Sequence, residues 1–344
     1  MVNRQSSGGA LHHGTGHLLA TQGSVIGVAV SDSGTRLAAA AATLDGIIIA
    51  HIRKRLPGLP DAQTTLAAMH ELIAILVSDE KVQGSRLIRC GVAIGALLDS
   101  KQGVVRTMPR AEGWDNLPLL DLIADRWQVP TIIENNVNAA ALGEMRFGAG
   151  CGNQHIVYLS LGRSIKSGIV LNGQIYHGAA GLAGEIGHIV VKEGGPRCPC
   201  GGYGHLEAIA SARAIVGAMI GLSAEYPETL EAIHKITGQR AEALTVEQVF
   251  HLLEQGNPVA QYVAGEAIKY LAIAIVNLCN MLDPATIVIG GTMANVGDRF
   301  FVPLREQVAR YACLHMDEQV CIVPAELGED AAIGGAIALA LHDM

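Results

Sequence analysis

Aromatic and charged residues are scarce in this sequence of 344 residues, at 4% and 16% of the chain. Acidic residues outnumber basic ones, 32 to 24, for a formal net charge of −8. This balance does not indicate a nucleic-acid partner, although a local basic patch could still lie within the acidic total. With half of the residues hydrophobic and 41 glycines, the composition favours closely packed α/β layers over an all-β sandwich.

Long uninterrupted apolar runs are also missing. The longest apolar stretch, at about 271–282, is interrupted by Asn277 and Asn280, and it is too short and too polar to span a membrane. The first 22 residues are polar and rich in glycine, and they lack the apolar core of a signal peptide. We therefore expect a flexible segment over 1–22, no membrane partner and a cytoplasmic location.

The pattern of apolar residues contains two successive rounds of strands followed by alternating strands and helices. Apolar segments bounded by turn residues predict strands at 23–30, 35–42, 46–53, 87–97, 130–134, 155–161, 167–172, 286–290 and 319–324. Helical periodicity predicts helices at 62–79, 115–127, 136–147, 206–220, 258–282, 298–312 and from about 331. The polar stretch 222–256 is interpreted as a helical insertion at the surface. The two rounds predict two related α/β domains, and a cleft between them is the expected ligand site.

Four potential metal ligands lie close together on a loop rich in glycine and proline: His188, Cys198, Cys200 and His205. Two thiolates and two imidazoles suit tetrahedral Zn²⁺, and the glycines let the loop fold back on itself. Incidental loop residues are the alternative, and a Cys198–Cys200 disulfide is disfavoured because one intervening residue strains it. Because the protein fills all four positions, the pattern predicts a structural zinc ion.

This constellation and its flanks resemble the ROK family (repressors, open reading frames and sugar kinases). The segments that carry the resemblance are 113–119 (GWDNLPL), 134–140 (ENNVNAA), 184–188 (GEIGH), 198–207 (CPCGGYGHLE) and 280–291. One departure places His205 where the family usually has a third cysteine. The resemblance implies two actin-like domains of the hexokinase type, which are ribonuclease H-like, with a ligand cleft between them. The expected domains are 23–138 with helix 331–344, and 139–330 with the zinc loop 184–207.

The resemblance also implies a set of sugar-binding residues: Asn135, Asn136, Glu185, His188 and Glu207. Carboxylates and amides suit this task because a sugar offers hydroxyls that both donate and accept hydrogen bonds. His188 would bind zinc with one ring nitrogen and present the other to the sugar. Solvated loop charges are the alternative interpretation of the two glutamates.

Phosphotransfer requires a base, and the resemblance implies that the base position is altered here. The family's kinases have an aspartate as the third residue of the E-N-D run, whereas this chain has Asn136. An amide has no useful basicity, so a rate contribution of about 10²–10⁴ would be lost. We therefore expect Asn136 to be catalytically inactive, although it can still hydrogen-bond a sugar.

The loops that hold ATP and Mg²⁺ in the family's kinases are altered as well. Between Gly162 and Gly168, Ser164 and Lys166 replace glycines, which restricts the backbone; alternatively, Arg163 and Lys166 supply charge to a phosphate. The first phosphate loop can be matched in two ways. In one, Asp32, Gly34 and Thr35 match it, but the segment is one residue too short; in the other, Ala29 takes the place of the aspartate. Gly290 and Gly291 are retained, but they also suit an ordinary turn.

Three functions remain open from the sequence. A sugar sensor related to the family's transcriptional regulators is favoured, because the sugar-binding residues persist while the ATP loops do not. The alternatives are a glucokinase-like enzyme that phosphorylates a hexose or N-acetylhexosamine with ATP, and an interaction scaffold. About 22 residues precede the first strand, too few for a winged helix-turn-helix, so we expect no DNA-binding domain in this chain. The family usually self-associates, which implies a homodimer or homotetramer.

Overall fold

The computed structural model describes residues 2–3, 23–109, 111–313 and 320–342. The predicted flexible segment over 1–22 therefore lies outside the described residues, apart from a two-residue strand at Val2–Asn3.

Thirteen strands are assigned within this part of the chain. They are β1 (Val2–Asn3), β2 (Gly23–Val30), β3 (Arg36–Thr43), β4 (Ile48–Arg55), β5 (Arg86–Ile94), β6 (Leu97–Asp99), β7 (Val104–Thr107), β8 (Thr131–Asn135), β9 (Ile156–Leu161), β10 (Ile165–Leu171), β11 (Gln174–Ile175), β12 (Thr286–Gly290) and β13 (Cys321–Pro324). Every predicted strand has a counterpart, and the four short strands β1, β6, β7 and β11 were not predicted.

The helices assigned in the described ranges are α1 (Ala62–Val77), α2 (Leu119–Trp127), α3 (Asn136–Phe147), α4 (Leu206–Ala210), α5 (Ala212–Ser223), α6 (Pro227–Thr237), α7 (Val246–Glu254), α8 (Pro258–Leu282), α9 (Asp298–Tyr311) and α10 (Ala331–Ala340). The predicted helix 206–220 is divided, because Ser211 leaves helical geometry and caps α5 with its hydroxyl. The predicted helix 115–127 begins only at Leu119, directly after Pro118.

The chain forms two compact units. The first contains Met1–Gln154, Gly168–Ala183 and Ala325–Met344, and the second contains His155–Ser167 and Gly184–Pro324.

The first unit is built on a six-stranded sheet with the strand order β1-β4-β3-β2-β5-β8. Strands β2, β3 and β4 pair antiparallel, whereas β5 joins β2, and β8 joins β5, in parallel. Side chains alternate along each strand. Ile26, Val28 and Val30 accordingly share a core with α1, while Gly27 approaches α10 on the opposite face.

The backbone of helix α10 packs directly against this sheet and against α3, with almost no side chains between them. A Cβ atom added to Gly91 of β5 would lie 1.9 Å from the carbonyl oxygen of Ala336. A Cβ atom added to Gly335 would lie 1.8 Å from the carbonyl oxygen of Ala139 in α3. The glycines are therefore required by the close approach of backbones.

A buried carboxylate anchors the segment that leads into α10. Glu144, near the end of α3, is fully buried and accepts backbone N–H groups from Ala149, Glu326 and Leu327 at 2.9–3.2 Å. Burial raises the pKa of this carboxyl, against the opposing effect of the three hydrogen bonds. The contact fixes where the C-terminal segment rejoins the first unit.

Replacing Gly335 with alanine is expected to destabilise the protein by about 3 kcal/mol, because the new methyl group overlaps a backbone carbonyl. The matched control is Gly265→Ala in α8, where an added Cβ meets nothing within 4 Å and helix propensity predicts a gain of about 1 kcal/mol. Urea unfolding of both variants measures the two effects. Equal stability of the two variants would contradict the proposed packing.

The second sheet has the strand order β11-β10-β9-β12-β13, with β9, β12 and β13 parallel. Its second-unit strands share a core with α5, α7, α8 and α9. The stretch 222–256 is helical and largely exposed, as predicted, but one face of it is part of the core, which the sequence did not indicate. Helices α6 and α7 bury Ile233, Val249 and Phe250 completely, and the charged residues between them obscured this apolar face in the sequence.

Helix α8 is the longest in the described ranges, with 25 residues, and its bounds match the prediction. By length and composition alone it could cross a membrane. However, 61% of its most apolar window is buried inside the protein, and Leu271 and Ile275 belong to the second-unit core. Its apolar character is therefore explained by packing.

Candidate functional site

The four predicted metal ligands lie together in the second unit. The ligand atoms of His188, Cys198, Cys200 and His205 are all within 4.8 Å of one another. The Cys198 Sγ lies 3.9 Å from the His188 Nδ1, and the Cys200 Sγ lies 3.2 Å from the His205 Nδ1. Tetrahedral zinc bonded to sulfur and nitrogen separates these atoms by about 3.6 Å, which falls between the two distances. The side chains therefore form a cluster that could hold a metal ion.

The loop closes through its own backbone. The N–H of Cys198 donates to the carbonyl of Gly202 at 2.7 Å, and the N–H of Gly201 donates to the carbonyl of Cys198 at 2.9 Å. Gly204 has a φ of +68°, and an added Cβ would lie 1.9 Å from the carbonyl oxygen of Lys192. The loop thus needs glycine at position 204, both for its backbone angle and for space.

His188 presents its two ring nitrogens to different partners. Its Nδ1 faces Cys198, whereas its Nε2 lies 3.9 Å from the Glu185 carboxylate, too far for a hydrogen bond. Both His188 and Glu185 are exposed. One nitrogen is thus available to a metal ion and the other points toward a carboxylate that can accept sugar hydroxyls.

Glu207 is mostly buried and already has two partners. Its Oε2 accepts the backbone N–H of Ile165 at 3.1 Å, and its Oε1 lies 3.5 Å from the Arg213 guanidinium. Glu207 is therefore not a solvated loop charge. That interpretation still fits Glu185, which is exposed.

In the first unit, Asn135 caps helix α3. Its Oδ1 accepts the N–H of Val137 at 2.9 Å, and its Nδ2 donates to the carbonyl of Ala96 at 3.0 Å. This is a structural role that sequence reasoning missed. Because an amide oxygen has two lone pairs and an amide nitrogen two protons, each atom retains one hydrogen-bonding position for a ligand.

Asn136 is the first residue of helix α3, and it contacts a carboxylate from another part of the chain. Its Nδ2 donates to the Oδ1 of Asp32, in the β2–β3 turn, at 2.7 Å. Its Oδ1 is buried and has no hydrogen-bond partner within the described residues. Position 136 therefore has an adjacent carboxylate and a spare acceptor.

A second carboxylate lies beneath this helix end. Glu134 is 4% exposed and accepts from the backbone N–H of Asn135 at 2.7 Å and from the Asn138 amide at 3.0 Å. Its other oxygen lies 2.5 Å from the Nε2 of His177. This hydrogen bond is the main reason that the pKa of His177 is raised. Glu134 thus links strand β8, helix α3 and the segment after β11.

Because the pKa of His177 is raised in the folded protein, its ion pair with Glu134 contributes stability below the unfolded pKa of histidine. That contribution is lost as the pH rises through the raised value. At acidic pH we expect the free energy of unfolding of the wild type to exceed that of His177→Gln by about 1 kcal/mol. The effect is modest because the pair is partly exposed to solvent. The difference should shrink toward pH 8. Urea unfolding at a series of pH values tests this, and a pH-independent difference would contradict it.

Backbone amides in and after the β9–β10 turn, one of the predicted ATP loops, are engaged in hydrogen bonds within the protein. The N–H of Gly162 donates to the carbonyl of Ser164 at 3.1 Å, and the N–H of Ser167 donates to Gly184 at 2.9 Å. With the N–H of Ile165 donating to Glu207, three amides that could approach a phosphate are already bonded.

The remaining predicted ATP residues have turn or packing roles. Gly34 has a φ of +68° in the β2–β3 turn, where the Thr35 hydroxyl bonds that of Ser33 at 2.7 Å. A Cβ added to Gly168 would lie 2.4 Å from the carbonyl oxygen of Val137. A Cβ added to Gly290 would overlap the Tyr158 side chain, and Gly291 has a φ of +84°.

A family model described as the ROK family matches residues 27–343. The chain belongs to the ROK family. A glucokinase from Thermotoga maritima is 35% identical over 249 residues, which cover 72% of this chain and 78% of that protein. A xylose repressor from Caldicellulosiruptor bescii is 27% identical over 284 residues, which cover 83% of this chain and 70% of that protein.

Solved ROK structures confirm the predicted fold of two actin-like, hexokinase-type α/β domains. The crystal structure of a ROK family glucokinase from Streptomyces griseus, in complex with glucose and AMPPNP, matches with a TM-score of 0.74 and 28% identity. The match covers 92% of this chain and 99% of that chain. The predicted ROK membership is likewise confirmed.

Proposed function

We propose that this ROK protein binds a sugar and that its ATP phosphotransfer is lost or weak, as in a sugar sensor. The observation that carries the proposal is the amide of Asn136 at the base position. Its nitrogen is bonded to Asp32 at 2.7 Å, and its oxygen is a spare acceptor. An amide can accept a hydrogen bond from a sugar hydroxyl, but it cannot take up the proton at neutral pH.

The β9–β10 turn supports the same proposal. A phosphate cradle needs free backbone N–H groups, whereas those of Gly162, Ile165 and Ser167 are engaged within the protein. The Ile165 partner is a carboxylate, Glu207, which repels an anionic phosphate. ATP and Mg²⁺ are therefore not required for the proposed activity.

Zn²⁺ is the metal ion that best fits the cluster, because two thiols and two imidazoles form a tetrahedral donor set. His188, Cys198, Cys200 and His205 would hold it. Burial raises the pKa of the Cys198 thiol, and a bound cation favours the thiolate that burial disfavours. The ion would brace the loop that carries Glu185, His188 and Glu207, the residues proposed here to bind sugar with Asn135 and Asn136.

A sugar kinase is the second candidate. The Thermotoga maritima relative is a glucokinase, and the Asp32 carboxylate adjoins Asn136, so a basic group is not wholly absent from this region. This candidate predicts ATP-dependent phosphorylation of a hexose or N-acetylhexosamine. Self-association as a homodimer or homotetramer and a cytoplasmic location belong to both candidates.

One experiment separates the candidates. Purified protein is titrated calorimetrically with D-glucose, D-xylose, D-mannose and N-acetyl-D-glucosamine, and ADP release is measured with Mg-ATP and each sugar. The sensor proposal expects saturable binding of at least one sugar without sugar-dependent ADP release above the rate of an Asp32→Ala, Asn136→Ala double variant. Rapid turnover would instead establish the kinase, and no binding would refute both.

A further inference from the structure

The position of Asp32 results from three local features. Its turn is closed by hydrogen bonds from the N–H of Ser31 to Arg36 and from the N–H of Gly34 to Ser31. Residue Gly95, just after β5, has no side chain, and an added Cβ would lie 2.1 Å from the Asp32 Oδ1. The missing side chain at Gly95 therefore leaves room for the carboxylate beside the first turn of α3.

The contact determines which way the Asn136 amide faces. An ionised carboxylate only accepts hydrogen bonds, so the amide must turn its NH₂ group toward Asp32. Its oxygen is thereby fixed on the other side, where it is buried and unpartnered within the described residues. A buried acceptor without a partner is costly, so a ligand that donates a proton there is favoured.

We propose that Asp32 is a positioning residue that makes Asn136 an obligate hydrogen-bond acceptor and so selects a sugar hydroxyl acting as a donor. This inference rests on the proposed function, in which Asn136 binds the sugar. A group of similar size without a proton to donate, such as fluorine, is disfavoured at that position. Asp32 itself need not touch the sugar.

The test uses monodeoxyfluoro derivatives, because fluorine replaces a hydroxyl without offering a proton. D-Glucose and D-xylose and their monodeoxyfluoro derivatives are titrated calorimetrically against the wild type, Asp32→Asn and the exchange variant Asp32→Asn/Asn136→Asp. In the wild type, at least one fluorinated position should weaken binding about tenfold or more. In Asp32→Asn the amide at 136 can face either way, so discrimination at that position should fall below about threefold.

The exchange variant is the matched control. It restores a single acceptor at position 136, held by the amide introduced at position 32, so discrimination should return to about tenfold. Unchanged discrimination in Asp32→Asn would overturn the inference, as would a failure of the exchange variant to restore it while its thermal unfolding matches the wild type. If the wild type binds none of the four sugars tested above, the proposed function fails and the inference fails with it; binding with unchanged discrimination in Asp32→Asn overturns the inference alone.

Discussion

Removing the proposed metal ion is expected to weaken sugar binding by about 10–100-fold. In the proposed site the ion joins the four cluster residues and so closes the loop that carries Glu185 and His188. Without it, the buried Cys198 and the exposed Cys200 have no common partner. Structural zinc sites contribute folding energy directly, so the loop should lose its geometry. Dialysis against a chelator, followed by calorimetric titration with sugar and by metal analysis, measures the effect.

The control for this prediction uses another exposed cysteine. Cys200→Ser should release the metal ion and lose sugar affinity, whereas Cys151→Ser, also exposed but outside the cluster, should change neither. Adding Zn²⁺ back to the chelated wild type should restore binding. Full sugar affinity in a metal-free protein would show that the cluster does not support the sugar site.

Installing a base is the second change with a large expected effect. Asp32→Asn combined with Asn136→Asp, in a background with Ser164→Gly and Lys166→Gly, is expected to raise sugar-dependent ADP release by about 10²-fold. The exchange moves the carboxylate onto helix α3, where an amide at 32 donates to it. The two glycines restore a backbone that can approach phosphate. A coupled assay of ADP release measures the gain.

The single substitution Asn136→Asp should raise sugar-dependent ADP release much less. With Asp32 retained, two carboxylates would face each other across the present 2.7 Å contact, and such pairs hold one proton between them, which raises one pKa strongly. The glycine substitutions with Asn136 retained provide the background rate. Equal rates in the exchange variant and this background would contradict the assigned base position.

Local patterns predicted most of the fold. Strand β2 and helix α8 were predicted with their observed bounds, because each has a continuous or periodic apolar sequence between clear turn residues. The division at Ser211 and the late start of α2 depend on capping and on proline, which shift boundaries by a few residues. Helices α6 and α7 were assigned to the surface, because charges on their outer faces lower the average hydrophobicity of the whole stretch.

In the candidate site, features formed by residues close together in sequence could be predicted, whereas contacts between distant residues could not. The metal cluster could be predicted because its ligands lie within eighteen residues of one another in the sequence, at spacings that metals favour. The contacts of Asn136 with Asp32 and of Glu134 with His177 are between residues far apart in sequence, and no local pattern marks such pairs. The capping role of Asn135 could have been read from its place before helix α3.

Helix α10 also has a consequence for how the protein is made. The ribosome delivers the chain from its N-terminus, and domains commonly begin to fold during synthesis. All of the second unit is synthesised before Ala325, whereas the first unit needs residues beyond it to cover Gly27 and Gly91 of its sheet. The first unit can therefore be completed only after all of the second unit has been synthesised, when α10 covers this face of its sheet.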